Sequence, residues 1–109
     1  METLNLIPIG SRRRISPDDI IFLTADVNYT QILLADGSKM TVATTLKILE
    51  KRFSTCAEFF RTHKSYLINI NFIKSFDISG EEEFVQMKNG YRVIISRRKK
   101  KAFLERLNA

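Results

Sequence analysis

Only one cysteine, Cys56, occurs in the 109 residues, so no disulfide framework can staple the chain, and a reducing cytoplasm is its natural compartment. The single histidine is His63, and no glycine-rich phosphate-binding loop is present. That leaves little from which to build a catalytic site, and the chain does not read as an enzyme. The longest apolar runs, such as Ile20 to Leu23, are far too short to cross a bilayer. The start, Met1-Glu2-Thr3-Leu4-Asn5, has no basic stretch leading into an apolar one, so no secretory signal is visible. Tryptophan is absent, there are two prolines, Pro8 and Pro17, and no Ser/Gly-rich linker, internal repeat or low-complexity tract interrupts the chain. One domain over residues 1–109 is the simplest organisation, with room for one modest core.

What is present fits a folded, basic module. Apolar residues make up 44% and include 8 Phe and 3 Tyr, more than a disordered chain carries. The formal net charge of +6 favours polyanionic partners: nucleic acid, anionic membrane or acidic proteins. Strand signals dominate. Leu4 to Ile9 alternates loosely, and Ile20 to Leu23 is a short buried-type run after Ser16-Pro17-Asp18-Asp19. Tyr29 to Leu34 and Lys39 to Val42 flank Asp36-Gly37, a two-residue hairpin signal that sets Leu33 opposite Met40. A second hairpin at Asn89-Gly90 sets Val85 opposite Ile94, and Gly80 with Glu81 to Glu83 marks the turn leading into it. Between the hairpins lie Tyr66 to Ile73 and Lys74 to Ile78. Two short helices fit: Thr45 to Phe53, with Leu46, Leu49 and Phe53 on one face, and a tail capped by Ser96 with a Phe103, Leu104 and Leu107 stripe. The expected fold is mostly β: packed antiparallel sheets of short strands and hairpins, with two short helices.

The positive charge is clustered at Arg12 to Arg14, at Arg61, His63 and Lys64, and at Arg97 to Lys101, while acids gather at Asp18, Asp19 and Glu81 to Glu83. Cations in the first turn of a helix oppose its dipole at about 0.3–1 kcal/mol each. A bound phosphate reverses that sign by accepting from the free N–H groups and pairing with the side chains. The tail therefore suits an anion, and equally fits a solvated basic face. The segment Phe59 to Leu67 reads as a short loop held rigidly by apolar neighbours, a good carrier of recognition residues. Lys64, followed by Ser65, is its best protruding donor. His63 fits a hydrogen-bonded structural role at least as well as a nucleic-acid contact, and Arg61 shares that ambiguity. Asn28, Tyr29 and Thr30 suit phosphate or base contact, and also fit an ordinary bend at the start of a strand.

Taken in order, these stretches resemble the LytTR family of bacterial DNA-binding domains. The resemblance rests on Asp19 to Leu23 followed by Asn28-Tyr29-Thr30, on Thr44 to Leu49, on Phe60-Arg61-Thr62-His63-Lys64-Ser65-Tyr66-Leu67-Ile68-Asn69, and on Asn89-Gly90 with Ile94 to Arg98. It spans residues 4–107, and the Phe-Arg-x-His-x-Ser segment with its Asn is the specific part. It implies that loops rather than a recognition helix enter bent double-stranded promoter DNA, often at paired direct-repeat sites, with a homodimer on DNA as one option. By matching position, Tyr29, Lys64 and Arg97 are the groove readers, beside Asn28, Ser65 and Arg98, with Lys99 and His63 as further contacts. It implies a transcriptional regulator, or the output domain of a two-component response regulator. Members of the family usually carry an N-terminal receiver or a sensory membrane segment, and this sequence shows neither. The run Arg12 to Arg14 is more basic than the family pattern and reads as an extra phosphate contact or a solvated turn.

Rival readings are weaker. A nuclease needs clustered carboxylates for Mg²⁺, and Glu81-Glu82-Glu83 beside Gly80 reads better as a solvated turn than as a metal site. A membrane adaptor could use the basic tail, but its apolar stripe is narrow and suits packing on a sheet. An RNA-binding sheet needs exposed aromatics, and most of the phenylalanines read as buried. No cofactor, metal, small-molecule substrate or membrane partner is expected.

Overall fold

A computed structural model describes residues 6–79 and 83–108. The expected turn at Gly80, Glu81 and Glu82 lies outside the described residues, as do Leu4 and Asn5 of the first strand signal. The centre is a five-stranded antiparallel sheet, built from β3 (Ile20–Asp26), β4 (Tyr29–Leu34), β5 (Lys39–Val42), β6 (Phe59–His63) and β7 (Tyr66–Asn69) in the order β5-β4-β3-β7-β6. A two-stranded hairpin, β1 (Ile7–Gly10) with β2 (Arg13–Ile15), and helix α1 (Leu46–Arg52) cover one face. A three-stranded sheet of β8 (Ile73–Asp77), β9 (Phe84–Met87) and β10 (Arg92–Ile94), with helix α2 (Lys100–Leu107), covers the other. The mostly β architecture of antiparallel sheets and two short helices is as the sequence implies.

Two apolar layers sandwich the central sheet. Ile20, Leu23, Ile32 and Leu67 point to the side of Leu46, Leu49 and Phe53 from α1. Ile21, Phe22, Leu33 and Ile68 point to the side of Val85, Val93 and Phe103. A β-bulge between Ile20 and Phe22 lets the consecutive Ile21 and Phe22 share one layer, which strict alternation forbids. Each fully buried side chain of this size contributes about 1.5–3 kcal/mol of transfer free energy. α1 buries Leu46 and Leu49 and ends on the buried Phe53, the face read from their spacing. In α2 only Phe103 is fully buried. Leu107 is half-buried and Leu104 is exposed, so the apolar stripe is narrower than expected.

Both glycine-marked hairpins form, but each register is one residue off the expected one. Ile32 rather than Leu33 faces Met40, and Val93 rather than Ile94 faces Val85. The cause is common. Leu34 N–H donates to Ser38 O and Gly37 N–H to Leu34 O, and Met87 with Tyr91 and Gly90 repeats the pattern. Each loop thus has three residues, with glycine third at φ +93° for Gly37 and +91° for Gly90. A glycine there closes a type I turn with a bulge, whereas a two-residue loop puts it in a primed turn. A one-residue slip exchanges the faces, so Val93 is buried while Ile94 lies half exposed. In the first loop the Asp36 carboxylate accepts from the Ser38 hydroxyl and N–H, which holds it below the usual carboxylate range.

Asn69, at the end of β7, is one of three buried polar or charged side chains among the described residues. Its amide donates to Ile20 O at 3.0 Å, and its oxygen accepts from Asn71 N–H at 2.9 Å. It thereby fixes the start of β3 against the 3-10 turn Ile70–Phe72. Asn69→Ala strands a buried carbonyl and an amide donor, each unpaired group costing about 1–3 kcal/mol. Urea unfolding should show Asn69→Ala less stable than wild type by about 2–3 kcal/mol with an unchanged slope.

Candidate nucleic-acid interface

The turns that carry the expected site residues meet at one end of the central sheet. β3 and β4 are joined by Val27-Asn28, with Asp26 opposite Tyr29. β6 and β7 are joined by Lys64-Ser65, with His63 opposite Tyr66. Ser65 O accepts from Ala25 N–H at 2.9 Å, which places the second turn beside the end of β3. Thr30 hydroxyl donates to Thr44 O, and Thr44 hydroxyl donates to Ile9 O, both at 2.7 Å, so the β1–β2 hairpin and the start of α1 reach the same end. After β10, Ser96 N–H donates to Thr62 O at 2.8 Å, which brings Arg97, Arg98 and Lys99 alongside β6.

The segment Phe59 to Leu67, read as a loop, is two strands and a two-residue turn. Its polar residues Arg61, Thr62 and His63 lie on the edge strand β6, where Thr62 is buried and its carbonyl accepts from Ser96 N–H. Arg61 organises it. Its Nε donates to His63 O at 2.9 Å, Nη2 to Lys64 O at 2.6 Å, and Nη1 pairs with Glu50 of α1 at 2.5 Å. With all three nitrogens engaged, Arg61 is a brace. His63 Nδ1 accepts from Ser65 N–H at 3.1 Å, and its ring lies 6.0 Å from that of Tyr66. Both residues therefore have structural partners, while Lys64 projects exposed from the turn they hold.

The tail differs from the expected α-helical first turn. Arg97–Lys99 form a 3-10 turn leading into α2, and Ser96 precedes it in extended conformation with no side-chain cap bond. Arg97 and Arg98 are exposed and Lys99 is half-buried, its Nζ lying 5.9 Å over the Phe60 ring. Lys100 is not free: it pairs with Glu83 at 2.5 Å, and the Glu83 side chain is largely buried rather than a solvated turn residue. Arg106 is also occupied, donating to Ala57 O and Phe59 O at 3.0 Å each. A concave surface gathers Lys47, His63, Lys64, Ser96, Arg98 and Lys99, so residues separated in sequence face one space.

Tyr29 is 53% exposed at the first position of β4, and Asn28 is exposed in the turn before it. Val27, which the sequence reading passed over, is 90% exposed at φ +57°. A β-branched residue in that region costs about 1–2 kcal/mol over the right-handed alternative. The positive φ was not legible, because no Gly or Asn stands at that position. A second missed feature is the β1–β2 turn, where Ser11 and Arg12 both have positive φ, 53° and 61°. It places Arg12, Arg13 and Arg14 with Arg52 around a shallow depression, and Arg52 donates to Pro8 O at 3.0 Å.

Among the described residues, no three of His, Cys, Asp and Glu come together to hold a metal ion, and no helix is long and apolar enough to cross a membrane. Cys56 is buried, and burial raises its thiol above the ordinary value. Of the phenylalanines, Phe22, Phe53, Phe59, Phe60 and Phe103 are buried, whereas Phe76 is exposed with its ring edge-on to Phe103 at 5.3 Å.

The family model for the LytTr DNA-binding domain matches residues 10–108. The chain belongs to the LytTR family. Among solved structures, the LytTr DNA-binding domain of a protein described as a methyl-accepting/DNA response regulator from Bacillus cereus is similar. Its TM-score is 0.75 at 18% identity, with 100% of each chain covered, a likeness that speaks to the fold. No curated protein matches the sequence.

The role of Arg61 yields a direct expectation. Arg61→Lys keeps the charge but cannot span His63 O, Lys64 O and Glu50 together. Amide hydrogen exchange at Lys64 and Ser65 should then rise at least several-fold over wild type while the amides of β3 stay protected. Unchanged exchange at this turn means the brace is not needed.

Proposed function

We propose that this LytTR domain binds double-stranded DNA sequence-specifically through the turns at one end of its central sheet, and acts as a bacterial transcriptional regulator or a response-regulator output domain. The observation that carries the reading is the convergence of Asn28-Tyr29, Lys64-Ser65 and Arg98 at that end, from three separate parts of the chain, with Arg97 beside them lining a separate depression with Phe84, Arg92 and Ile94. The arrangement supports loop-borne recognition, because both helices are packed against sheets and their buried residues hold them there. Promoter DNA at paired direct-repeat sites, bound by monomers or by a homodimer, and a cytoplasmic setting complete the proposal. Catalysis has no part in it.

Arg97 is the proposed base reader. A guanidinium grips guanine O6 and N7 together, worth about 1–3 kcal/mol of discrimination. Tyr29 offers a ring to a sugar or base and a hydroxyl to a phosphate. Lys64, Arg98 and Lys99 supply phosphate contacts and with them register and salt-dependent affinity, with Asn28, Ser65 and His63 beside them. Arg12 to Arg14, brought toward the same end by the Thr44 to Ile9 bond, extend the phosphate contacts outward. Affinity from such contacts falls with salt at a slope of about −0.9 per phosphate.

The test is duplex binding by fluorescence anisotropy, with sequences selected from a random pool, at two salt concentrations. Arg97→Ala should relax preference at one base position by about 1–3 kcal/mol. Lys64→Ala and Arg12→Ala should weaken binding evenly across sequences, each reducing the salt slope by about 1. A failure to select any motif, with all three variants binding like wild type, reduces the basic end to a generic polyanion surface and overturns the proposal.

A further inference from the structure

We propose that Val27 is a specificity-determining residue that reads the C5-methyl group of one thymine in the major groove; the inference rests on the DNA-binding reading above. Val27 stands first in the two-residue turn between β3 and β4, with positive φ there and not at Asn28. That is the turn whose first position ordinarily takes glycine. The folded domain gains nothing from a valine at this point. The residue is 90% exposed, so its methyl groups have almost no intramolecular partner, and its branched Cβ is strained by the backbone. The turn itself is already held on both sides, by the Asp26–Tyr29 pairing and by Gln31 Nε2 donating to Asp26 Oδ2 at 3.1 Å. An exposed, strained apolar side chain on a braced tip is explained by a contact outside the domain.

The chemistry of that contact follows from its neighbours. Asp26, Asn28 and Tyr29 surround Val27 with polar groups, so a broad apolar partner surface would leave them desolvated and unpaired. A groove edge offers an isolated methyl group among hydrogen-bonding atoms, and thymine alone among the four bases presents one in the major groove. The tip shares the sheet end with Lys64-Ser65 through the Ala25–Ser65 hydrogen bond, so it faces the same duplex.

The experiment replaces thymine by uracil, one position at a time, in a duplex selected by the wild-type protein, and measures binding by wild type, Val27→Gly and Val27→Asn. Wild type should lose about 4-fold in affinity at one thymine, the equilibrium factor for roughly one methyl group removed from water. Both variants should be indifferent to that replacement. Val27→Gly should also melt about 4 °C or more above wild type, since strain is relieved. If wild type ignores every thymine methyl, or the variants keep the same sensitivity, the inference is overturned while DNA recognition stands. If no duplex is selected at all, the DNA-binding reading fails and this inference fails with it.

Discussion

Strand β3 is buried on both faces, with Ile20 and Leu23 committed to one layer and Ile21 and Phe22 to the other, and this leaves the central sheet only its ends and edges for meeting a partner. The same commitment explains the two-sided cover. One face needs α1 and the β1–β2 hairpin, and the opposite face needs the second sheet and α2. Helices used in this way have spent their apolar faces on the core and cannot also lie free in a groove. Turns at the sheet end are short, tied to rigid strands, and polar. Side chains on such turns are held in fixed positions, as the proposed recognition requires.

Electrostatics at that end are arranged by subtraction. Several basic side chains have partners within the domain: Arg61 with Glu50, Lys100 with Glu83, Arg52 and Arg106 with backbone carbonyls. Those that the hydrogen bonds and ion pairs of the described residues leave over include Lys64, Arg97 and Arg98. The paired cations fix backbone segments in place, and the unpaired ones project from those segments. Arg61 and Lys64 show the division within four residues, since the first binds the carbonyl of the second.

Much of this was legible in the sequence, and the failures share a cause. Apolar spacing located α1 and its buried face, and the glycine pairs located both hairpins, because these signals are local. Register is not local. Asp36-Gly37 and Asn89-Gly90 fit two-residue and three-residue loops alike, and the choice is made by which residues must be buried across the pair. Matching Val85 with Val93 instead of counting from the turn would have found it. The Phe59 to Leu67 segment was misread for a related reason: Arg61 and His63 are polar in sequence, but their partners lie within the hairpin and, for Arg61, also on Glu50 of α1. Lys64 was singled out from its own segment as a protruding donor, whereas the groove-reading role proposed for Arg97 depended on a resemblance spanning the chain, since a charge run by itself describes any solvated face.

The local choices that oppose stability are concentrated at one end. Val27 takes a backbone region suited to glycine, and Ser11 and Arg12 do the same in the β1–β2 turn. Arg97 to Lys99 crowd like charges into a turn that Ser96 does not cap with its side chain. In the core the buried Asn69 has partners for its amide and its oxygen, and of the buried polar side chains Thr62 alone, in β6 near the same end, leaves its hydroxyl unpaired among the described residues. Chains selected only to fold would spread such conflicts or remove them, because each costs a meaningful fraction of a marginal stability. Their clustering where the basic turns converge is in keeping with the proposed DNA-binding end. On the proposed function, an anion opposite Arg97 to Lys99 and a groove opposite the Val27 turn would turn both liabilities into contacts. A domain that is locally worst where its free charge is greatest thus has the energetic profile of a binding surface completed by its ligand.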